Sequence, residues 1–412
     1  METIKRDIPN GKLEGTCDAR FLPVAAEFEK NFSARGEVGA SLCVTLEGST
    51  VIDLWGGSAD PALNKPWQRD TVSIVFSCTK GATALCAHVL ASRGQLDIEA
   101  PVSEYWPEFA QQGKERATVR MMLDHSVGLP AFKTPVRLGG CNDWDYMVEL
   151  LAAEAPFWEP GIRNGYHMLN FGWTVGELVR RVSGKSLGRF FRDEIATPLG
   201  VDFWIGTPEQ VEPRIAPMRM YVPGPGDAMS EFMQTVMSDP QSISGLSLLN
   251  GGGFDPNSRA CHAAEIGGGG GISNARGLAG IYAPLACGGS LGKVKLVDAD
   301  SLARMAQISM ATNRDATLLI PTRFALGFMK SMDNRRRSRG DRDSAVLSSA
   351  AFGHVGAGGS IGFADPVEGL SFGYSMNQMG SSILLNPRGQ SLVDATYHVL
   401  GYRSDSSGVW RK

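Results

Sequence analysis

Ser77 and Lys80 stand three residues apart in the stretch FSCTKGATALCAHVL, residues 76–90. In a helix of 3.6 residues per turn, positions i and i+3 share a face, so this hydroxyl and this amine can meet. A serine hydroxyl attacks carbonyl carbon well only when a neighbouring base takes its proton. Lysine is such a base when uncharged, and its ordinary pKa of about 10.4 must then be lowered by burial or a nearby positive group. The chemistry implied is acyl transfer through a serine ester. The start of a helix suits it, because free backbone N–H groups and the dipole favour negative charge there.

The surrounding residues are those of a buried helix. Leu85 and Val89 repeat at apolar helical spacing, and Gly94 supplies a stop after Arg93. Upstream, ASLCVTLEGSTVIDLW (residues 40–55) holds two β-rich runs broken at Glu47-Gly48, the pattern of a hairpin. Downstream, residues 101–260 are loop-rich and mainly helical. Val175, Leu178, Val179 and Val182 fall at i, i+3, i+4 and i+7, and Gly184 closes that helix. From about residue 324 strands return in FALGFM, AFGHVGAGGSIGFA and GLSFGYSMN, followed by a terminal helix near SLVDATYHVLG. The organisation expected is α+β. Residues 1–100 and 290–412 form a discontinuous sheet domain, and residues 101–289 a mainly helical one.

The 412 residues, 43% of them hydrophobic, can bury a sizeable core, and a net charge of −3 points away from nucleic acid or an anionic membrane as partner. Small neutral ligands fit better. The polar start METIKRDIPNGKLEG lacks the apolar core of a signal peptide, and no later run approaches 18 apolar residues. The seven cysteines form no C-x-x-C pair. A cytoplasmic protein with reduced thiols, no metal and no cofactor is expected; oligomeric state is not legible.

Two further groups extend the first. Tyr166 follows a Pro160-Gly161 turn just ahead of the amphipathic helix in WEPGIRNGYHMLNFGWTVGEL, and His354-Val355-Gly356 lies on an expected strand before the Asp365-Pro366 turn. S-x-x-K followed in order by two such motifs is a β-lactamase and penicillin-binding-protein signature. With VIDLWGGSADPALNKPWQRDTVSIVFSCTKG, MMLDHSVGLP and FGHVGAGGSIGFADP, the chain resembles the serine β-lactamase/D-Ala-D-Ala-peptidase superfamily, and most closely its class C-like carboxylesterases, the family VIII esterases. The resemblance implies an antiparallel sheet flanked by helices plus a helical domain, with the site between them. It also implies roles: Ser77 as nucleophile, Lys80 as base, Tyr166 as proton shuttle, the amides of Ser77 and Ala357 as oxyanion hole, and His354 and Gly356 beside the substrate.

The pattern departs from the family at two places. Where Tyr-x-Asn is usual, Met168 stands in the third position with Asn170 two residues on, and the third motif begins with His354 rather than lysine. Both departures favour small, short-acyl esters over amides and β-lactams. The rivals on the same site are an acyltransferase, an amide or oligomer hydrolase and a weak β-lactamase; from another class, the rival is a sensor acylated without turnover.

Competing motifs are read as structural. Gly358-Gly359-Ser360-Ile361-Gly362 fits the G-x-S-x-G elbow, but a strand and not a helix is expected after Ser360, while Asp394 and His398 share one terminal helix. Cys78 is a small core residue, and His88 and His125 are structural, while His167 orients the Tyr166 loop. The basic run DNRRRSRGDRD (residues 333–343), with five arginines interrupted by aspartates, is a solvated hairpin tip. Glycines 267–271 are expected to form a flexible loop before a helix.

Overall fold

The computed structural model describes residues 1–381 and 383–412. Strands β1 (Glu2–Ile8) and β2 (Gly11–Cys17) open the chain, helix α1 (Leu22–Ala34) follows, and β3 (Gly39–Leu46) and β4 (Ser49–Asp60) form the expected hairpin. Glu47 and Gly48 at its tip have φ of 50° and 76°, the positive pair that a two-residue type I′ turn demands. Three strands come from the far end of the chain: β5 (Phe352–Val355), β6 (Ile361–Asp365) and β7 (Leu370–Met376). The sheet order is β1-β2-β4-β3-β7-β6-β5, all antiparallel, so β7 zips onto β3 from Leu370 opposite Leu46 to Met376 opposite Ala40.

Side-chain alternation along β3 gives the sheet two covered faces. Leu42 and Val44 join Val24 and Phe28 of α1 and Leu392 of the last helix. The intervening Cys43 packs against Ala275 and Ala279 on the opposite face.

Helix α2 (Cys78–Ser92) runs from the sheet edge into a second apolar cluster, where it meets α3 (Asn170–Ser183). It ends at Arg93, and Gly94 turns the chain away at φ 69°. Helix α4 (Ala275–Ala286) lies across β3, β6 and β7, and α5 (Pro387–Val399) packs against α1. With α4 on the sheet, the sheet layer takes in a helix that precedes residue 290, because the face bearing Cys43 needs an apolar cover.

Two local expectations are corrected. FALGFM does not form a strand: only Phe324 belongs to the short strand Thr322–Phe324, and Gly327 at φ 86° turns the chain at once. Glycines 267–271 are not a loose loop but are buried throughout. A Cβ on Gly172 would sit 2.1 Å from the Gly268 nitrogen, and one on Gly268 would sit 2.2 Å from the Leu169 oxygen. Two backbones touch here, and only hydrogen fits between them. The basic run keeps its tip, with Met332 bridging Ala345 and Arg335 paired to Asp333 and Asp405. No helix among the described residues is long and apolar enough to cross a membrane, and no group of three or more His, Cys, Asp or Glu side chains there could hold a metal.

Candidate active site

Ser77 caps the start of α2, half-buried, directly after Phe76, whose φ of 44° is unusual for a residue with a side chain. That left-handed step follows Val75, whose amide is held by the Gly271 carbonyl at 2.9 Å. The side chains meet as the spacing requires: Lys80 Nζ lies 3.0 Å from Ser77 Oγ. Lys80 has no solvent exposure, and its Nζ also donates to the carbonyls of Met168 and Gly268 at 2.6 Å each. Burial drives its pKa well below the ordinary lysine value.

Tyr166 arrives on a loop pinned at each residue. Gly165 N–H donates to the His125 carbonyl (3.2 Å), Tyr166 N–H to Asp315 Oδ1 (3.0 Å) and His167 N–H to His125 Nδ1 (3.2 Å). The phenol ring stacks on Phe324 at 5.8 Å, lies 6.0 Å from the His354 ring, and has Lys80 Nζ 4.6 Å from its centroid. Burial raises its pKa far above the ordinary value, and a hydrogen bond with the Ser77 side chain opposes that rise.

The histidines here are neutral scaffolding. His167 donates from Nδ1 to the Gly165 carbonyl (2.7 Å) and accepts at Nε2 from Leu129 N–H (3.0 Å), which uses both ring nitrogens in one neutral tautomer. Burial takes its pKa down to about 3. His125 accepts at Nδ1, sits at φ 68° and packs against the rings of Tyr166, Phe171 and Phe324. His88 is held by the Leu326 carbonyl, away from Ser77.

The third motif lies on β5. His354 Nδ1 donates to the Val355 carbonyl at 2.7 Å, which leaves Nε2 as an acceptor, buried and without a partner among the described residues. Burial holds its pKa down to about 3. Gly356 opens the tight turn into β6, its amide bonded to the Ser360 carbonyl at 2.7 Å; a Cβ there would lie 2.3 Å from the Val75 oxygen, so the turn abuts the start of α2. Ala357 is half-buried on this turn, and neither its N–H nor that of Ser77 has an acceptor among the described residues.

Sequence reasoning missed three groups: the Met168 and Gly268 carbonyls and the Asp315 carboxylate. The glycine run was a signal for Gly268. At the position where asparagine is usual, Met168 contributes its backbone carbonyl to Lys80, and Asn170 Nδ2 donates to the Leu129 carbonyl at 3.0 Å.

Ser360 is 1% exposed and donates to the Val75 carbonyl at 3.2 Å, and a strand follows it. Asp394 accepts from Gln390 and Trp410 instead of serving His398. Cys78 Sγ is fully buried against the His354 carbonyl, and burial pushes its thiol up to about 12.

A model of the beta-lactamase family matches residues 25–392. The chain belongs to the beta-lactamase family. It is 34% identical over 396 residues to the esterase/beta-lactamase LipL of Mycobacterium tuberculosis, covering 91% of this chain and 85% of that protein. Among solved structures it is similar to a family VIII carboxylesterase (36% identity, TM-score 0.82, 94% of this chain and 99% of that one). It is also similar to a penicillin-binding protein homologue from Caulobacter crescentus (32% identity, TM-score 0.83, 94% and 99%). The fold is thus that of β-lactamases and penicillin-binding proteins, and the protein is a serine hydrolase of the beta-lactamase family.

Proposed function

We propose that this hydrolase is a carboxylesterase that cleaves small, short-acyl esters through a covalent ester on Ser77. The observation that carries the reading is the setting of Lys80. An uncharged amine has two N–H groups and one lone pair. The Met168 and Gly268 carbonyls, each 2.6 Å away, accept the two N–H groups of the uncharged amine, which leaves its lone pair for Ser77 Oγ, 3.0 Å away. Complete burial favours that uncharged form.

The cycle follows from these positions. Lys80 takes the hydroxyl proton as Ser77 Oγ bonds to the ester carbonyl carbon. The free amides of Ser77 and Ala357 stabilise the oxyanion, an effect worth about 3 kcal/mol per donor in other enzymes. Tyr166, against Ser77 and Lys80, passes a proton to the departing alkoxide, and the alcohol leaves as the acyl-enzyme forms. Water enters by the reverse route: the Tyr166 phenolate left by acylation takes its proton as its oxygen bonds to the acyl carbon, and Lys80 returns a proton to Ser77 Oγ as the bond from that oxygen to the acyl carbon breaks and the acid departs. Lys80 and Tyr166 titrate together, so the base is the pair.

Esters are favoured over amides and β-lactams by two details. Asn170 stands two residues beyond the usual asparagine position, buried, with its Nδ2 donating to the Leu129 carbonyl. His354 is neutral and offers an acceptor where a substrate carboxylate would need a cation.

The test is hydrolysis of p-nitrophenyl acetate, butyrate and octanoate beside a chromogenic cephalosporin, with intact-protein mass spectrometry. Turnover of the short esters, a transient acyl mass in the wild type and loss of both in Ser77→Ala are expected. Cephalosporin turnover matching the esters would replace the reading with a β-lactamase. An acyl mass that persists without turnover would replace it with a sensor.

A further inference from the structure

Asp315 is a carboxylate with no solvent exposure, and it is absent from the chemistry above. Its Oδ1 accepts from the N–H groups of Tyr166 (3.0 Å), Thr317 (2.8 Å) and Leu318 (2.9 Å). Its Oδ2 accepts from Asn164 Nδ2 and Thr322 Oγ1, both at 3.2 Å. A buried carboxylate is tolerated only when its lone pairs are filled. These donors fill them from segments about 150 residues apart in sequence. The Asp315 loop also closes on itself, with Asp315 N–H bonded to the Ile320 carbonyl (2.9 Å) and Leu319 N–H to the Asp315 carbonyl (3.0 Å). It therefore holds a fixed shape against which the Tyr166 backbone is set.

We propose that Asp315 is the positioning residue for Tyr166, setting the phenol against Ser77 and Lys80 by gripping the Tyr166 amide and the Asn164 side chain together. Two features make the carboxylate specific to this task. Only a group that accepts at both oxygens can serve this donor set, since an asparagine would turn an N–H₂ toward donors. In addition, its negative charge works with burial to keep the phenol protonated. A tyrosine that must donate to an alkoxide is thus kept charged with its proton before substrate arrives. A displacement of about 1 Å at such a group costs on the order of a hundredfold in rate.

The inference rests on the reading that Tyr166 carries protons, and a double-mutant cycle separates the two. Wild type, Tyr166→Phe, Asp315→Asn and the double variant are compared for the acylation burst and for KM with p-nitrophenyl butyrate. Asp315→Asn is expected to slow acylation about a hundredfold in the wild type, with KM little changed, and to add almost nothing once Tyr166 is Phe. Equal losses in both backgrounds would overturn the positioning role. An active Tyr166→Phe would overturn the proton-carrier reading instead.

Should Asp315→Asn not fold, Thr322→Val removes one donor and leaves the carboxylate. It is expected to slow acylation about tenfold, with Thr322→Ser restoring the rate and Tyr166→Phe masking the loss. Wild-type acylation in Thr322→Val would overturn the proposal.

Discussion

Two serines lie close to the same turn of the fold, and they differ in everything that makes a hydroxyl reactive. Ser77 is half-buried at the head of α2, 3.0 Å from an amine whose pKa burial drives well below the ordinary lysine value. Ser360, at the end of the turn between β5 and β6, is 1% exposed, donates to the Val75 carbonyl and has the Cys78 thiol 3.7 Å away in place of a base. Reactivity here belongs to the surroundings. A motif such as G-x-S-x-G describes only the chain on either side of the hydroxyl, whereas what the hydroxyl and its neighbours can do is set by how folding buries and pairs them.

The largest expected effect comes from removing Lys80, the base proposed for Ser77. Lys80→Met keeps an unbranched apolar side chain, one atom shorter, but has no amine to take the serine proton. Ester turnover is expected to fall about a thousandfold, within the usual range for a general base, with a cooperative urea transition retained although the Met168 and Gly268 carbonyls lose their donor. A steady-state assay with urea titration checks both. Retained turnover would erase the contrast between the two serines.

The next effect tests the packed glycines that carry the Gly268 carbonyl to Lys80. In Gly172→Ala the new methyl meets the Gly268 nitrogen at 2.1 Å, backbone against backbone, with no side chain to give way. A loss of about 1–3 kcal/mol in urea unfolding is expected. The esterase rate should fall with it, because the displaced Gly268 carbonyl no longer directs the amine toward Ser77.

Acid sharpens the comparison in a different way, because the buried surroundings of Ser77 are filled with neutral rings. The pKa values of His167 and His354 are lowered to about 3, and that of His88, beyond the site, to about 4. Unfolded histidines titrate near 6.5, so between those values the unfolded chain binds more protons than the folded one. Stability is therefore full above about pH 6.5 and is lost as pH falls toward 3. Urea unfolding between pH 7 and 4 is expected to show that slope. His88→Gln should flatten it while leaving ester turnover near wild type.

Ser360→Ala is expected to do least. It removes one hydrogen bond to Val75, costing about 1 kcal/mol, and should leave ester turnover within severalfold of wild type. A dead but folded Ser360→Ala would reverse the assignment of the two serines.

What was legible in the residues was local. The β3–β4 turn, the end of α2 at Gly94 and the end of α3 at Gly184 (φ 69°) each depend on a few neighbouring residues, and each formed where its residues pointed. FALGFM misled because a run of apolar residues suits a buried turn as well as a buried strand. The glycine run misled in the opposite sense. Absence of side chains reads as freedom, whereas here it permits two backbones to touch.

The sequence by itself determined that Ser77 and Lys80 would face one another, because helical geometry relates i to i+3 without help from the rest of the chain. It also carried the family, through motifs in a fixed order. Only the tertiary structure decided which groups complete the site. The carbonyls of Met168 and Gly268 exist at every residue and leave no mark in the residue types, and Asp315 meets Tyr166 across about 150 positions. The protonation states were decided there as well. A lysine or histidine is the same letter in water and in the core, and its charge is set by burial and by the neighbours that folding supplies.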